Sequence, residues 1–166
     1  MDTEKHFSDL LAEFKTGMLI SRAGEHLHAR PMAIAGLSSG GAAYLATSID
    51  SPKIQEIEAS PNVILTFQGT TQFVTLEGRA RVNRDRALIE KLWSDTWKVW
   101  FPGGKNDPEI CLLEIDPVGG EYWDNSGANG VRYVVEGLRA IFAHDKPAVD
   151  ESQHAKVDLR SNTAQR

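Results

Sequence analysis

The segment Thr71–Val82, TQFVTLEGRARV, alternates from end to end. Val74, Leu76, Gly78, Ala80 and Val82 share one face, and Phe73, Thr75, Glu77, Arg79 and Arg81 share the other. A period of two held that long belongs to a β-strand with one face in a core and one in water. Shorter segments of the same kind surround it: GMLISRAG, HLHARPMAIAG, AYLATS, PNVILTF, ICLLEIDP and GEYWDN. Gly24 and the SSGGAA run mark turns between them. Helical spacing interrupts the strands only in places. Phe7, Leu10, Leu11 and Phe14 define a helix before the first strand. A second helix runs from about Pro52 to Ala59, where proline suits a first helical position. A third begins near Arg84, with Leu88, Ile89, Leu92 and Trp93 as its apolar stripe. Strands in hairpin-like order with few helical crossovers predict a mainly β chain: an antiparallel barrel or sandwich with peripheral helices.

The 166 residues suit one domain with a real core, set at residues 1–144. RYVVEGLRAIFAH reads as a last helix, disfavoured by Gly137. From Asp145 on, the chain is polar and aperiodic, so residues 145–166 are expected to form a flexible tail. A net charge of -5 argues against a general nucleic-acid binder. The single cysteine, Cys111, sits in an apolar run and reads as a small buried hydrophobe. The histidines are scattered and no Cys/His cluster has ligand spacing, so no metal site is expected. The N-terminal segment has no secretory h-region and no apolar run approaches a membrane span, which makes the cytoplasm the default location.

Three stretches carry the chemistry. In ATSIDSPKIQEI a strand ends in hydroxyls and a helix begins at Pro52 with Lys53 in its first turn. Helix N-termini attract anions, and a lysine there is unfavourable unless an anion is present. Thr47, Ser48 and Ser51 add hydroxyls; the plain alternative is an ordinary Ser-Pro helix start with Lys53 in solvent. In HARPMAIAG, Pro31 inside a strand marks an edge or an irregularity and leaves backbone groups free, with Arg30 beside it. All four tryptophans lie in LWSDTWKVWFPGG and EYWDN; Trp93 reads as core, while Trp97 and Trp100 are suited to bounding a flat ring.

Together these residues resemble the pyridoxamine 5′-phosphate oxidase-like flavoproteins of split β-barrel fold, and within them the general stress protein 26 branch. The matching stretches are ARPMAIAG, YLATSIDSPKIQEIEASPNVILTF, FVTLEGRARV and WFPGGKNDPEICLLEIDPVGGEYWDN, over about Gly17 to Asn125. The resemblance implies an antiparallel split barrel that binds FMN at a homodimer interface. By position it assigns Arg30, Pro31 and Met32 to the flavin, with Arg30 near the phosphate. Ala46, Thr47 and Ser48 are implied to meet the ring and ribityl chain, and Ser51 and Lys53 the phosphate. Trp123 and Trp100 are implied to come from the partner subunit, and Gln72 to reach the ring or ribityl chain. The chain departs from the oxidases proper at Pro52-Lys53, where they carry two adjacent basic residues, and it lacks their C-terminal arginine-containing substrate segment. That argues against vitamin B6 oxidation. The function expected is an FMN-dependent redox protein with no assigned catalytic residue. The alternatives are a flavin-storage stress protein without turnover, a reductase using the deazaflavin F420, and FAD in place of FMN.

Overall fold

The computed structural model describes residues 2–127 and 152–160. Helix α1 (Thr3–Glu13) is followed by strands β1 (Thr16–Ala23), β2 (His26–Leu37) and β3 (Ala43–Ser48), helix α2 (Pro52–Ala59), and strands β4 (Asn62–Gln68) and β5 (Gln72–Asn83). Then come helix α3 (Arg86–Leu92), two 3₁₀ turns at Asp95–Val99 and Gly104–Asn106, strand β6 (Ile110–Asp124) and strand β7 (His154–Asp158). Every pairing is antiparallel. The ladder β3-β2-β1-β4-β5-β6 closes on itself because β3 also pairs with β6, giving a six-stranded barrel with β7 as an added strand.

The periodicities account for these elements. The inward residues of β5, Val74, Leu76 and Ala80, are buried, while Phe73, Glu77, Arg79 and Arg81 face out. Helix α1 buries Phe7, Leu10 and Leu11 and is capped by Asp2, whose carboxylate accepts from the Lys5 backbone N–H. Gly24 takes the left-handed φ of +61° that the two-residue turn between β1 and β2 requires. Leu19, Leu45, Leu65, Leu76, Leu113 and Tyr122 fill the barrel and are fully buried. Among the described residues no helix is long and apolar enough to cross a membrane.

Two expectations need correcting. ICLLEIDP and GEYWDN are not separate strands but one, β6. Pro117, Gly119 and Gly120 read as breakers, yet the ladder runs through them with one irregularity: Glu77 pairs with Gly119 and Gly78 with Pro117, so Val118 is an extra residue. Gly120 is needed there for close approach, since a Cβ would meet the Phe7 ring and the Thr75 carbonyl oxygen at 2.5 Å. The second correction concerns the tail. Within it His154–Asp158 forms β7 along Gly119–Trp123, with Val157 buried. Strand β3 leaves β6 at Ile115, so the edge beyond is open to a new partner. Five residues are too short a period to stand out in sequence. The segment RYVVEGLRAIFAH lies outside the described residues.

Because Gly120 has no room for a side chain, Gly120→Ala is expected to cost roughly 1–3 kcal/mol through forced backbone and ring shifts. Urea unfolding should show a lower midpoint at unchanged slope; an unaltered midpoint would mean that α1 does not seat on β6 as described.

Candidate functional site

Strand β2 pairs with β1 over most of its length but joins β3 only from Ile34 onward. Residues 26–33 therefore keep one edge without a strand partner among the described residues, and Pro31 sits in that edge. Strand β3, anchored on β6, ends at Ser48. A short turn leads into α2, so Ser51 and Lys53 arrive beside the end of β3. Across from them the 3₁₀ turn Asp95–Val99 and the residues after it bring Trp97, Trp100 and Phe101.

These pieces enclose a cleft of about 590 Å³, within the usual range for small-molecule sites. One wall is Pro31, Met32 and Ala33 of β2, with Thr16. The floor is Ala46, Thr47 and Ser48, and Ser51 and Lys53 form one end. Thr96, Trp97, Trp100 and Phe101 form the other wall. Trp97 is buried against a cluster with Ile89, Phe101, Ile110 and Leu112. Trp100 is 79% exposed. The aromatic segment is held in place by Arg86, which donates to the carbonyls of Lys105 at 2.7 Å and Ile110 at 3.3 Å. Lys105 in turn pairs with Glu90.

At the cleft end the cation is bonded to hydroxyls. Lys53 Nζ donates to Thr47 Oγ1 at 2.9 Å and Ser51 Oγ at 2.5 Å. Among the described residues no carboxylate lies within ion-pair distance of it. Burial, and after it the nearby Arg30 charge, holds the ammonium below the usual lysine range. Ser51 does not cap α2 with its side chain, and Pro52 has no N–H to offer. The cation, two hydroxyls and the uncapped helix start thus converge on one end of an otherwise apolar cleft. By contrast, in the cleft of about 450 Å³ between Pro61, Arg79, Arg81 and Arg160 two of the three arginines are ion-paired. There Arg81 meets Glu114 and Asp116, and Arg160 meets Asp158.

Of the expected site residues, Pro31, Met32, Ala46, Thr47, Ser48, Ser51, Lys53 and Trp100 line this one cleft. Trp100 does so from the same chain as Lys53. Arg30 is not in the lining. Its guanidinium bonds Glu56 Oε2 at 2.7 Å and Ser21 Oγ at 2.9 Å, behind Lys53. Gln72 and Trp123 also lie outside the lining: Gln72 reaches Glu13 at 3.4 Å, and Trp123 stacks on His154 at 5.1 Å. Trp97 is more deeply buried than Trp93, the reverse of the expected order, because Trp93 lies at the end of α3 with its Nε1–H donated to exposed Asp95. Thr16, Ala33, Thr96 and Phe101 were missed; small and apolar residues carry no chemical signal of their own. Cys111 is fully buried, and burial pushes its thiol up to about 11, so it stays protonated and inert at neutral pH.

The chain matches the family model for pyridoxamine 5′-phosphate oxidase-like proteins over residues 2–148. The chain belongs to the pyridoxamine 5′-phosphate oxidase-like family. It is 31% identical to general stress protein 26 of Bacillus subtilis over 121 residues, covering 70% of this chain and 84% of that protein. Among solved structures it is similar to a general stress protein 26 candidate from Jannaschia sp. CCS1, with a TM-score of 0.74, 26% identity, and coverage of 95% of this chain and 98% of the other. It is also similar to the general stress FMN/FAD binding protein of Xanthomonas citri, with a TM-score of 0.64, 31% identity, and coverage of 76% and 90%.

Sequence reasoning passed over one residue of this family member that its structure makes prominent, Glu56. Its Oε2 accepts from Ser21 Oγ at 2.5 Å and from Arg30, and its Oε1 meets His28 Nδ1 at 2.7 Å. Burial alone pushes this carboxyl up, but the bonds from Ser21, His28 and Arg30 and the Arg30 charge outweigh it and bring it down to about 2. With the folded-state value depressed, the stability Glu56 contributes is complete above its ordinary value of 4.5 and is lost as the pH falls toward 2. Acid unfolding of the wild type should therefore show a loss in that window that Glu56→Gln lacks. Identical acid profiles would mean that the carboxylate is not bonded as described.

Proposed function

We propose that this chain binds FMN in the cleft between β2 and the Trp97–Trp100 segment and works as a redox flavoprotein of the general stress protein 26 type. The observation that carries the reading is Lys53: a half-buried cation with no carboxylate at ion-pair distance among the described residues, at the hydroxyl-lined end of an apolar cleft. That donor set suits a phosphate monoester. In this reading Lys53, Ser51 and Thr47 hold the phosphate. Pro31–Ala33 and Trp100 bound the ring, with the strand edge supplying backbone groups. The description of the Xanthomonas citri relative as an FMN/FAD binding protein supports a flavin as the occupant. A bound flavin supplies the electron-transfer chemistry; the protein binds, orients and excludes water. Among the described residues Lys53 is the sole titratable side chain of the lining, so the cleft offers no carboxylate or imidazole as a committed proton donor.

A homodimer completes the reading. Met18, Ile20, Ala29, Pro31 and Ile64 meet across the β2–β1–β4 ladder, on the same face. Met18 and Ile64 are each 38% exposed, and Leu27 on the same sheet is 67% exposed. This apolar surface runs up to the cleft through Pro31, which fits a second copy as its cover. Gln72 and Trp123, outside the cleft of their own chain, fit a contribution to the partner's. The dimer is tested by light scattering on Ile64→Asp, expected to shift the mass from dimer to monomer and to weaken flavin binding with it; a wild-type monomer that binds flavin fully would overturn the interface.

Fluorescence titration with FMN tests the site itself. Lys53→Ala is expected to weaken FMN about 10- to 100-fold, the scale of one lost charge-assisted hydrogen bond. Wild-type affinity should fall as the pH rises through the Lys53 value, which lies below the ordinary 10.5, and the variant should lose that decline. Equal affinity in the two proteins would remove Lys53 from the site.

A further inference from the structure

We infer that Glu56 is a positioning residue for the phosphate turn, and that Arg30 serves it as counter-ion instead of touching the phosphate. The inference rests on the FMN reading above. Three partners from two strands converge on the one carboxylate: Ser21 of β1, and His28 and Arg30 of β2. Arg30 also donates to Ser21 Oγ at 2.9 Å, which closes the node. Its inner part is shielded, with Ser21 1% exposed and the Glu56 side chain 12%, while His28 closes it on the solvent side.

Its place in the chain gives it leverage. Glu56 lies one helical turn beyond Lys53 on α2, and Arg30 immediately precedes Pro31, the first residue of the cleft wall. One carboxylate therefore ties the helix that carries the phosphate cation to the strand that forms the ring wall. A side-chain cap usually fixes a helix start, but here Ser51 Oγ is turned to Lys53 and caps nothing. The apolar anchors Ile54 and Ile57 hold the helix against the core, yet such contacts are not directional. Hydrogen bonds are, and on the sheet side of α2 the node supplies them.

Arg30 is consequently committed. Its pair with Glu56 is bonded at 2.7 Å and mostly shielded, and removing one member of such a pair leaves the other charge uncompensated. For a phosphate to recruit Arg30, that node would have to break.

The test compares FMN with riboflavin, the same ring and ribityl chain without the phosphate, by fluorescence titration of wild type, Glu56→Gln and Ser21→Ala. Glu56→Gln keeps shape but puts an amide N–H where an acceptor is needed. It is expected to lower FMN affinity about tenfold or more while riboflavin affinity stays within about twofold. Ser21→Ala removes one bond of the node at little cost to the fold, and is expected to produce the same phosphate-selective loss at smaller size. An equal loss for both ligands would reduce the node to a structural support. A gain in FMN affinity in Glu56→Gln would show Arg30 released onto the phosphate. Either result overturns the positioning role. A wild type with no preference for FMN over riboflavin would instead overturn the phosphate turn, and this inference with it.

Discussion

The pairing of β3 with β6 is what the rest of the molecule depends on. Six successive residue pairs, from Ala43 with Ile115 to Ser48 with Ile110, turn a curled sheet into a closed barrel. Closure removes most edges, and edges are what a sheet must otherwise protect. It also fixes two departures. Strand β3 ends where β6 begins, so the chain leaves the barrel at Ser48 and must start α2 beside the cleft. Strand β2 extends beyond its pairing with β3, so the edge around Pro31 stays open on the same side. The cleft is the gap between those two departures, covered by the Trp97–Trp100 segment.

Charge then decides which gap matters. Basic residues occur both in this cleft and in the one between Pro61 and Arg160. There Arg81 is matched by Glu114 and Asp116, and Arg160 by Asp158. Arg30 is matched by Glu56. Lys53 is bonded to hydroxyls alone, which compensate a cation far less than a carboxylate does. In a protein with a net charge of -5, a half-buried ammonium with no carboxylate at ion-pair distance among the described residues is what supports the proposed anion site. The largely apolar walls suit the ring system of the proposed flavin.

Much of this was legible in the chain because the controlling signals are local. The alternation of β5, the spacing of Phe7, Leu10 and Leu11, and Pro52 at the start of α2 each act within a few residues, and these elements formed where expected. The cleft end was legible for the same reason, since Thr47, Ser48, Ser51 and Lys53 lie within one short turn. What escaped depends on distant partners. Nothing near Arg30 in the chain announces its bond to Glu56, 26 residues on. Gly119 and Gly120 read as a break until β7, α1 and β5 are seen to require bare backbone against β6. The strand at His154–Asp158 exists because β3 leaves an edge free, and nothing within those five residues announces it. Trp93 and Trp97 look alike in sequence; the packing of Ile89 and Ile110 selects Trp97 for burial.

The measurement that bears most directly on the central claim is a crystal structure of the chain grown with FMN. The account predicts the phosphate within hydrogen-bond distance of Lys53 Nζ and the Ser51 hydroxyl, the ring between Pro31–Ala33 and Trp100, and the Arg30–Glu56 pair intact. A phosphate held instead by Arg79, Arg81 and Arg160, or a ring outside the cleft, would contradict it.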